Sequence, residues 1–342
     1  MIKRTLKTAQ LIDGFWDRWL AHGVSREAIV QVRKNLNSLQ SWVPNWLEFA
    51  IRKEEEAREY LSKQLCDAAS RSFLEASLYY NLIQWIFPDN GPDKKKWYRE
   101  CLRVFRAADE LAKHDVFYEE IEVSGYSCAG RISIPKNAEA CIIIINPIDS
   151  TKEELFLYEK DFVEAGYMVV SFDGPGQGQT YTINGLRGTK LRWEQFIDRL
   201  IRFSFDLGSG IPLYLFGTSL GASWAIYGST YPQINKTVAV SPAVTFETLN
   251  LPTYFLERMD YSCTLVPEQR AIPDFDKLNY SSPVCIHHGT SDQMVPTQDV
   301  YGLYTRLPQG SELIEYDGEG HCCNGKLSQI RQHTIRWLQN GN

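Results

Sequence analysis

The stretch IPLYLFGTSLGASWAIYG, residues 211–228, runs from an apolar segment through Gly217-Thr218-Ser219-Leu220-Gly221 into a second apolar segment. The first segment reads as a buried strand. The second, through Ala222, Trp224, Ala225, Ile226 and Tyr227, reads as a helix packed on it. A Gly-x-Ser-x-Gly between strand and helix has the form of a nucleophile elbow, a sharp turn that lifts a serine hydroxyl to the top of a sheet. The pentapeptide alone decides little, because a small residue in a tight turn looks the same. Partners elsewhere in the chain must decide whether Ser219 is a nucleophile.

Working outward, the elbow sits among short strands that alternate with helices. FYEEIEV (117–123) and YSCAGRISIP (126–135) read as a hairpin turning at Ser124-Gly125. CIIII (141–145), GYMVVSF (166–172), TVAV (237–240), PVCIHH (283–288) and SELIEY (311–316) read as further strands, with helices at 191–205 and 327–338. Continuous apolar strands joined by helices imply an α/β fold with a mostly parallel sheet covered on both faces. Residues 1–112 read as helices only, so the expected organisation is a helical domain at 1–112 and an α/β domain at 113–342. In the helical part, the segment at 53–87 is expected to carry one apolar stripe through Ala57, Tyr60, Leu61, Leu65, Ala68 and Ala69. Trp16, Trp19, Trp42, Trp46, Trp85 and Trp97 all fall in this half, and core packing accounts for them better than an aromatic substrate cavity does.

A serine needs a base, and the base needs a carboxylate to set its tautomer. Open α/β sheets place such groups in loops after the carboxyl ends of strands. Asp292 follows the strand PVCIHH, and His321 follows the last strand in DGEGHCC, giving the order Ser, Asp, His along the chain. Asp299 is better read as part of a helix start, and Asp317 and Glu319 as turn formers. His287 and His288 read as buried histidines at a strand end; His22, His114 and His333 read as helical residues without catalytic context. On these grounds Ser219, Asp292 and His321 are the candidate triad.

The net charge of −6 and the lack of a long basic run argue against nucleic acid as a partner, and Lys94-Lys95-Lys96 reads as a solvated helix start. No apolar run approaches the roughly 20 residues that span a bilayer, and the basic N-terminus lacks the apolar segment of a signal peptide. Neither a membrane nor a nucleic acid is expected as a partner, the expected substrate is a small carbonyl compound, and a homodimer is left open. Eight scattered cysteines without metal-ligand spacing read as reduced thiols in a cytoplasmic protein, and neither a metal nor a cofactor is expected.

Three further motifs, DSTKEE (149–154), FDGPGQG (172–178) and GHCCNG (320–325), resemble those of α/β-hydrolases with an N-terminal helical cap, the 2,6-dihydroxypseudooxynicotine hydrolase group and its relatives near the FrsA-like esterases. The resemblance spans about residues 113–342 by motif, and the helical third agrees in kind. It implies an α/β-hydrolase core, a substrate-selecting cap, and Ser219, Asp292 and His321 in the roles above. It also implies an oxyanion hole made by the Leu220 N–H and a donor from the turn after CIIIIN. Here the chain has Asn146-Pro147 where the family usually has a glycine, and since proline has no N–H the expected donor is Ile148. Asp149, Asp173 and Gln177 are expected to fix loops around the site, and Cys322 and Cys323 to be small buried side chains. The expected chemistry is hydrolysis through an acyl-enzyme: C–C cleavage of an aryl or polyketide-like ketone, or ester hydrolysis or acyl transfer. Relatives that cut C–C bonds suggest an accessory acid, for which Glu247 is the candidate, against its reading as a solvated glutamate. A catalytically silent binding protein on the same fold is the reading from another class, and a peptidase with an accessory domain is a weaker one.

Overall fold

The computed structural model describes residues 13–36 and 39–340; residues 1–12, which include the basic N-terminus, lie outside them. The chain divides into two compact units, residues 1–116 with 153–157, and residues 117–152 with 158–342.

The first unit contains five helices among its described residues: α1 (Asp13–Ala21), α2 (Arg26–Asn35), α3 (Trp42–Ser62), α4 (Cys66–Trp85) and α5 (Pro92–Asp109). Along α3 the buried positions are Trp42, Trp46, Phe49, Ala50, Glu54 and Ala57, a helical spacing that turns one face inward. The segment at 53–87 is therefore two helices and not one. Gln64, at φ 59°, takes a left-handed turn, and the Leu65 N–H closes back on the Tyr60 carbonyl at 2.9 Å, a Schellman-type helix end. Of the expected stripe only Ala57 and Ala69 are buried, while Leu61 and Leu65 are exposed, because the break rotates the two halves out of one register. Trp16, Trp19, Trp42, Trp46 and Trp85 are buried and pack ring on ring, with centroids such as Trp16–Trp19 at 4.9 Å and Trp19–Trp85 at 5.1 Å. Such aromatic pairs contribute about 0.5–1.5 kcal/mol each beyond their burial.

The segment 153–157 brings two carboxylates into this first unit. Glu154 is buried and accepts a two-pronged bond from Arg18 (2.8 Å each) and one from His22 Nδ1 (2.7 Å). Burial opposes its charge, but Arg18 and His22 outweigh that and hold its carboxyl far below the usual range. Glu153 accepts from the Tyr98 hydroxyl at 2.8 Å. His22 thus follows α1 in a turn, and His114 lies in a bend before the first strand, so neither is helical.

The second unit is built on an eight-stranded sheet: β1 (Asp115–Val123), β2 (Tyr126–Ile134), β3 (Ala140–Ile145), β4 (Tyr167–Phe172), β5 (Leu213–Thr218), β6 (Lys236–Val240), β7 (Val284–Gly289) and β8 (Glu312–Tyr316). Their order across the sheet is β1-β2-β4-β3-β5-β6-β7-β8. β2 runs antiparallel to β4, and every pairing from β4 through β3 to β8 is parallel. Ser124 and Gly125 both have positive φ (52° and 77°), as a two-residue hairpin turn between β1 and β2 requires. Every residue of β3, β4, β5 and β7 is buried, which is why these strands read as largely apolar runs without alternation. The flanking helices are α6 (Phe156–Glu164), α7 (Gly178–Thr182), α8 (Lys190–Leu207), α9 (Leu220–Gly228), α10 (Thr253–Ser262), α11 (Thr297–Tyr304) and α12 (Leu327–Gln339). One core cluster joins Ile143, Val170 and Leu215 to Trp193 and Phe196 of α8; a second joins Ala239 and Ile286 to Ile226 of α9 and Leu303 of α11.

Candidate active site

β5 ends in the turn Gly217–Gly221, and its glycines are there because nothing else fits. A Cβ on Gly217 would run into the Gly221 carbonyl, and one on Gly221 into the Ile145 carbonyl at the end of β3. Between them Ser219 sits at φ 55°, ψ −120°, a left-handed conformation that costs a non-glycine residue about 1–3 kcal/mol. The same turn starts α9 and turns the serine hydroxyl out of the strand.

The loops after β7 and β8 bring the other two groups to it. His321 Nε2 lies 2.9 Å from Ser219 Oγ, and His321 Nδ1 lies 2.8 Å from Asp292 Oδ2. In that arrangement Nδ1–H donates to the carboxylate and the bare Nε2 accepts the serine proton. The Asp292 side chain is fully buried, and its Oδ1 accepts from the Met294 and Val295 amides at 2.8 and 3.0 Å. Burial disfavours the Asp292 charge, but His321 and these amides outweigh it and hold the carboxyl below its usual value. Burial likewise disfavours the His321 imidazolium. Cys322 and the Asp292 carboxylate beside the ring outweigh it, so the histidine stands well above its ordinary value of 6.5.

The turn after β3 faces the elbow. Ile148 and Leu220 are buried, and neither backbone N–H donates to another described group. The loop after β4 clamps this turn: Gln177 Nε2 donates to the Asn146 and Pro147 carbonyls, both at 2.8 Å, while its Oε1 accepts from Gly174 N. Asp173, buried, accepts from Asn146 Nδ2, Lys152 N, Lys152 Nζ and Gln179 N. Asp149 pairs with Arg258 at 2.9 Å. Lys152 escapes the sequence reading: a lysine in a polar stretch signals solvent, and nothing in DSTKEE says that it ends fully buried against Asp173.

The other sequence candidates lie elsewhere. Glu247 occupies a short turn, is 71% exposed and pairs with Arg270 at 2.6 Å; no hydrogen bond joins it to Ser219, His321 or Asp292. Asp299 lies in the first turn of α11 and accepts from Thr248; Asp317 accepts from Thr290. Cys323 is buried as expected, whereas Cys322 is only half-buried, because a left-handed turn (φ 67°) holds it beside His321 with its amide on Ser241 Oγ at 3.0 Å. His287 and His288 are buried, and burial with His333 nearby pushes His287 down to about 3, so its ring is neutral.

With this geometry in view, known proteins can be set beside it. The 2,6-dihydropseudooxynicotine hydrolase of Paenarthrobacter nicotinovorans is 23% identical over 338 residues, 94% of this chain and 90% of its own length. The crystal structure of a 2,6-dihydroxy-pseudo-oxynicotine hydrolase superposes with a TM-score of 0.80 at 21% identity, covering 94% of both chains. The profile of a family described as serine aminopeptidase, S33, matches residues 137–266. The chain has the α/β-hydrolase fold. An α/β-hydrolase of an Acremonium species is 27% identical over 251 residues, 64% of this chain, and the chain spans about half (51%) of that relative's length. The resemblance to the pseudooxynicotine hydrolase group, carried in sequence by motifs in the α/β-hydrolase core, thus extends through the helical unit. Among the described residues no helix is long and apolar enough to cross a membrane.

Proposed function

We propose that this α/β-hydrolase is a serine-nucleophile enzyme that attacks a ketone carbonyl and cleaves the adjacent C–C bond through an acyl-enzyme. The observation that carries the reading is the relay Ser219 Oγ, His321 Nε2, His321 Nδ1, Asp292 Oδ2, closed at 2.9 and 2.8 Å. His321 takes the Ser219 proton as Oγ bonds to the carbonyl carbon, and the Leu220 and Ile148 amides receive the oxyanion. Donors of this kind contribute about 3–4 kcal/mol each. Collapse breaks the C–C bond, and the protonated His321 returns its proton to the departing carbon. Water activated by the same histidine then adds to the acyl-enzyme and releases the acid and Ser219. An aryl or polyketide-like ketone suits this route because such a leaving group spreads the developing charge. The similarity to the pseudooxynicotine hydrolase over nearly the whole of both chains favours such a substrate over a simple ester. Ester hydrolysis and acyl transfer use the same residues. Substrate choice we assign to the helical unit, and the cytoplasm is the compartment that suits eight cysteines scattered without the spacing of a disulfide framework. A Trp97→Ala change in α5 should move KM or substrate preference more than kcat, and unchanged preference would remove that assignment.

Glu247 is unsuited to serve as the accessory acid, since its carboxylate is turned to solvent and Arg270 and bonds to no member of the relay. Glu247→Gln should cost less than about 3-fold on an aryl ketone and on the matching aryl ester alike. A selective loss of ketone cleavage in the 10²–10⁴-fold range of acid–base catalysis would restore it. The same pair of substrates tests the C–C assignment, which requires that the wild-type enzyme turn over the ketone and not the ester alone.

The pH profile has a definite sign. The base must be neutral to accept a proton, so activity falls as pH drops through the His321 pKa. Because that pKa stands above 6.5, the acid limb of kcat/KM should lie on the alkaline side of an ordinary imidazole. Asp292→Asn removes the carboxylate that favours the imidazolium, so it should move the limb to lower pH while lowering the plateau by about 10⁴-fold. A limb that stays put in this variant would detach Asp292 from His321.

A further inference from the structure

Away from the triad, the sheet and the last helix enclose a cluster of soft donors that the proposed reaction does not use. Cys285 and His287 alternate along β7, so their side chains point to the same face. The helix α12 brings His333 onto that face, with the two imidazole centroids 5.3 Å apart and nearly perpendicular. One donor atom from each of Cys285, His287 and His333 lies within 4.8 Å of the others. We infer that Cys285 Sγ, His287 Nε2 and His333 Nδ1 bind a zinc(II) ion, with water as fourth ligand, and so tie β7 to α12.

The hydrogen bonding of the cluster is what such a site needs. Zinc takes tetrahedral sets of thiolate and imidazole, and bond lengths of about 2.3 and 2.0–2.1 Å make a tetrahedral S···N edge about 3.6 Å. Cys285 Sγ to His287 Nε2 measures 3.6 Å. The remaining separations need close by no more than about 1.5 Å to reach tetrahedral edges, within reach of a small rotation of His333. Metal-bound histidines hold a partner on their second nitrogen, which sets the tautomer. His287 Nδ1 is 3.0 Å from the Tyr316 hydroxyl, leaving Nε2 bare toward the thiol. His333 Nε2 faces the Glu312 carboxylate at 3.9 Å, and its Nδ1 is buried with no hydrogen-bond partner among the described residues. An unpaired buried ring nitrogen is destabilising, and a metal bond removes that cost. The His333 side chain keeps 29% exposure, enough for the ion to enter and for a water to complete the shell.

Burial keeps Cys285 a neutral thiol, so binding must expel its proton: the S–H bond breaks, an S–Zn bond forms with the sulfur pair, and the proton passes to solvent with no change of oxidation state. The ligands span residues 285–333 with no spacing motif, which is why the sequence reading expects no metal. Such an ion would brace the two chain segments that carry Asp292 and His321 without touching substrate.

The test titrates chelator-treated full-length protein with cobalt(II), the spectroscopic stand-in for zinc, and then displaces it with zinc(II). About one cobalt per chain, a thiolate charge-transfer band, tetrahedral visible bands and a melting temperature raised by zinc are expected. His333→Gln, on a partly exposed helix position, should remain folded by circular dichroism and weaken binding by more than the 10–100-fold typical of losing an outer-shell partner. Cys285→Ser should abolish the charge-transfer band; if that buried change unfolds the chain, His333→Gln decides alone. Absence of the band in wild-type protein, or binding undiminished in His333→Gln, overturns the site and leaves an S–H···N hydrogen bond in its place.

Discussion

Ser219→Ala should lower kcat by about 10⁴–10⁶-fold on an activated aryl ester or ketone, leaving the melting temperature within about 2 °C of wild type. The size follows from the relay acting as one unit: without Oγ there is no acceptor for the acyl group, so the loss approaches that of removing the whole set. The fold survives because Ser219 Oγ bonds to His321 and to no core group, while the turn is held by backbone contacts such as Ser219 N–H to the Val240 carbonyl at 2.8 Å. Ser219→Gly sharpens the result. At φ 55° glycine carries no Cβ penalty, so this variant should be equally inactive and at least as stable as the alanine one. Retained turnover in either variant would remove Ser219 from the chemistry.

Lys152→Met should be the most damaging change to stability in the α/β unit, at about 3–5 kcal/mol, because it strands the Asp173 carboxylate in a fully buried position. For a unit of this size that corresponds to a fall in melting temperature of about 10 °C. Activity at low temperature should fall as well, since Asp173 also holds Asn146 and thereby the turn that bears Ile148. Asp173→Asn in the Lys152→Met background should recover part of the loss, because it removes the stranded charge. A double-mutant cycle reads that coupling directly. Additive losses would mean that the pair does not act as one.

The parts of this molecule that are legible in the sequence are those where local pattern and tertiary role coincide. β3, β4, β5 and β7 are buried on both faces, so each appears as an apolar run whatever its neighbours. The loops after β5, β7 and β8 lie at the sheet's carboxyl edge, and there the elbow motif and the strand positions point to Ser219, Asp292 and His321, which lie within hydrogen-bond distance in the fold. The order of strands across the sheet, by contrast, rests on long-range pairing that periodicity does not record. The break at 63–65 is hidden because lysine, glutamine and leucine all favour helix, and only the left-handed Gln64 ends α3. The grouping of residues 153–157 with the helical unit is hidden too, since Glu153 and Glu154 look like solvated acids until Tyr98, Arg18 and His22 are placed around them. Glu247 illustrates the converse: sequence leaves open whether it is an accessory acid or a solvated glutamate, and the fold turns it out to Arg270 and solvent.

The central claim, that Ser219 is a nucleophile armed by His321 and Asp292, is tested most directly by a fluorophosphonate on folded protein, read by intact mass and peptide mapping. One adduct per chain on Ser219 is predicted, forming far more slowly in His321→Ala. No adduct on the folded chain, or one on another residue with Ser219 unmodified, would contradict it.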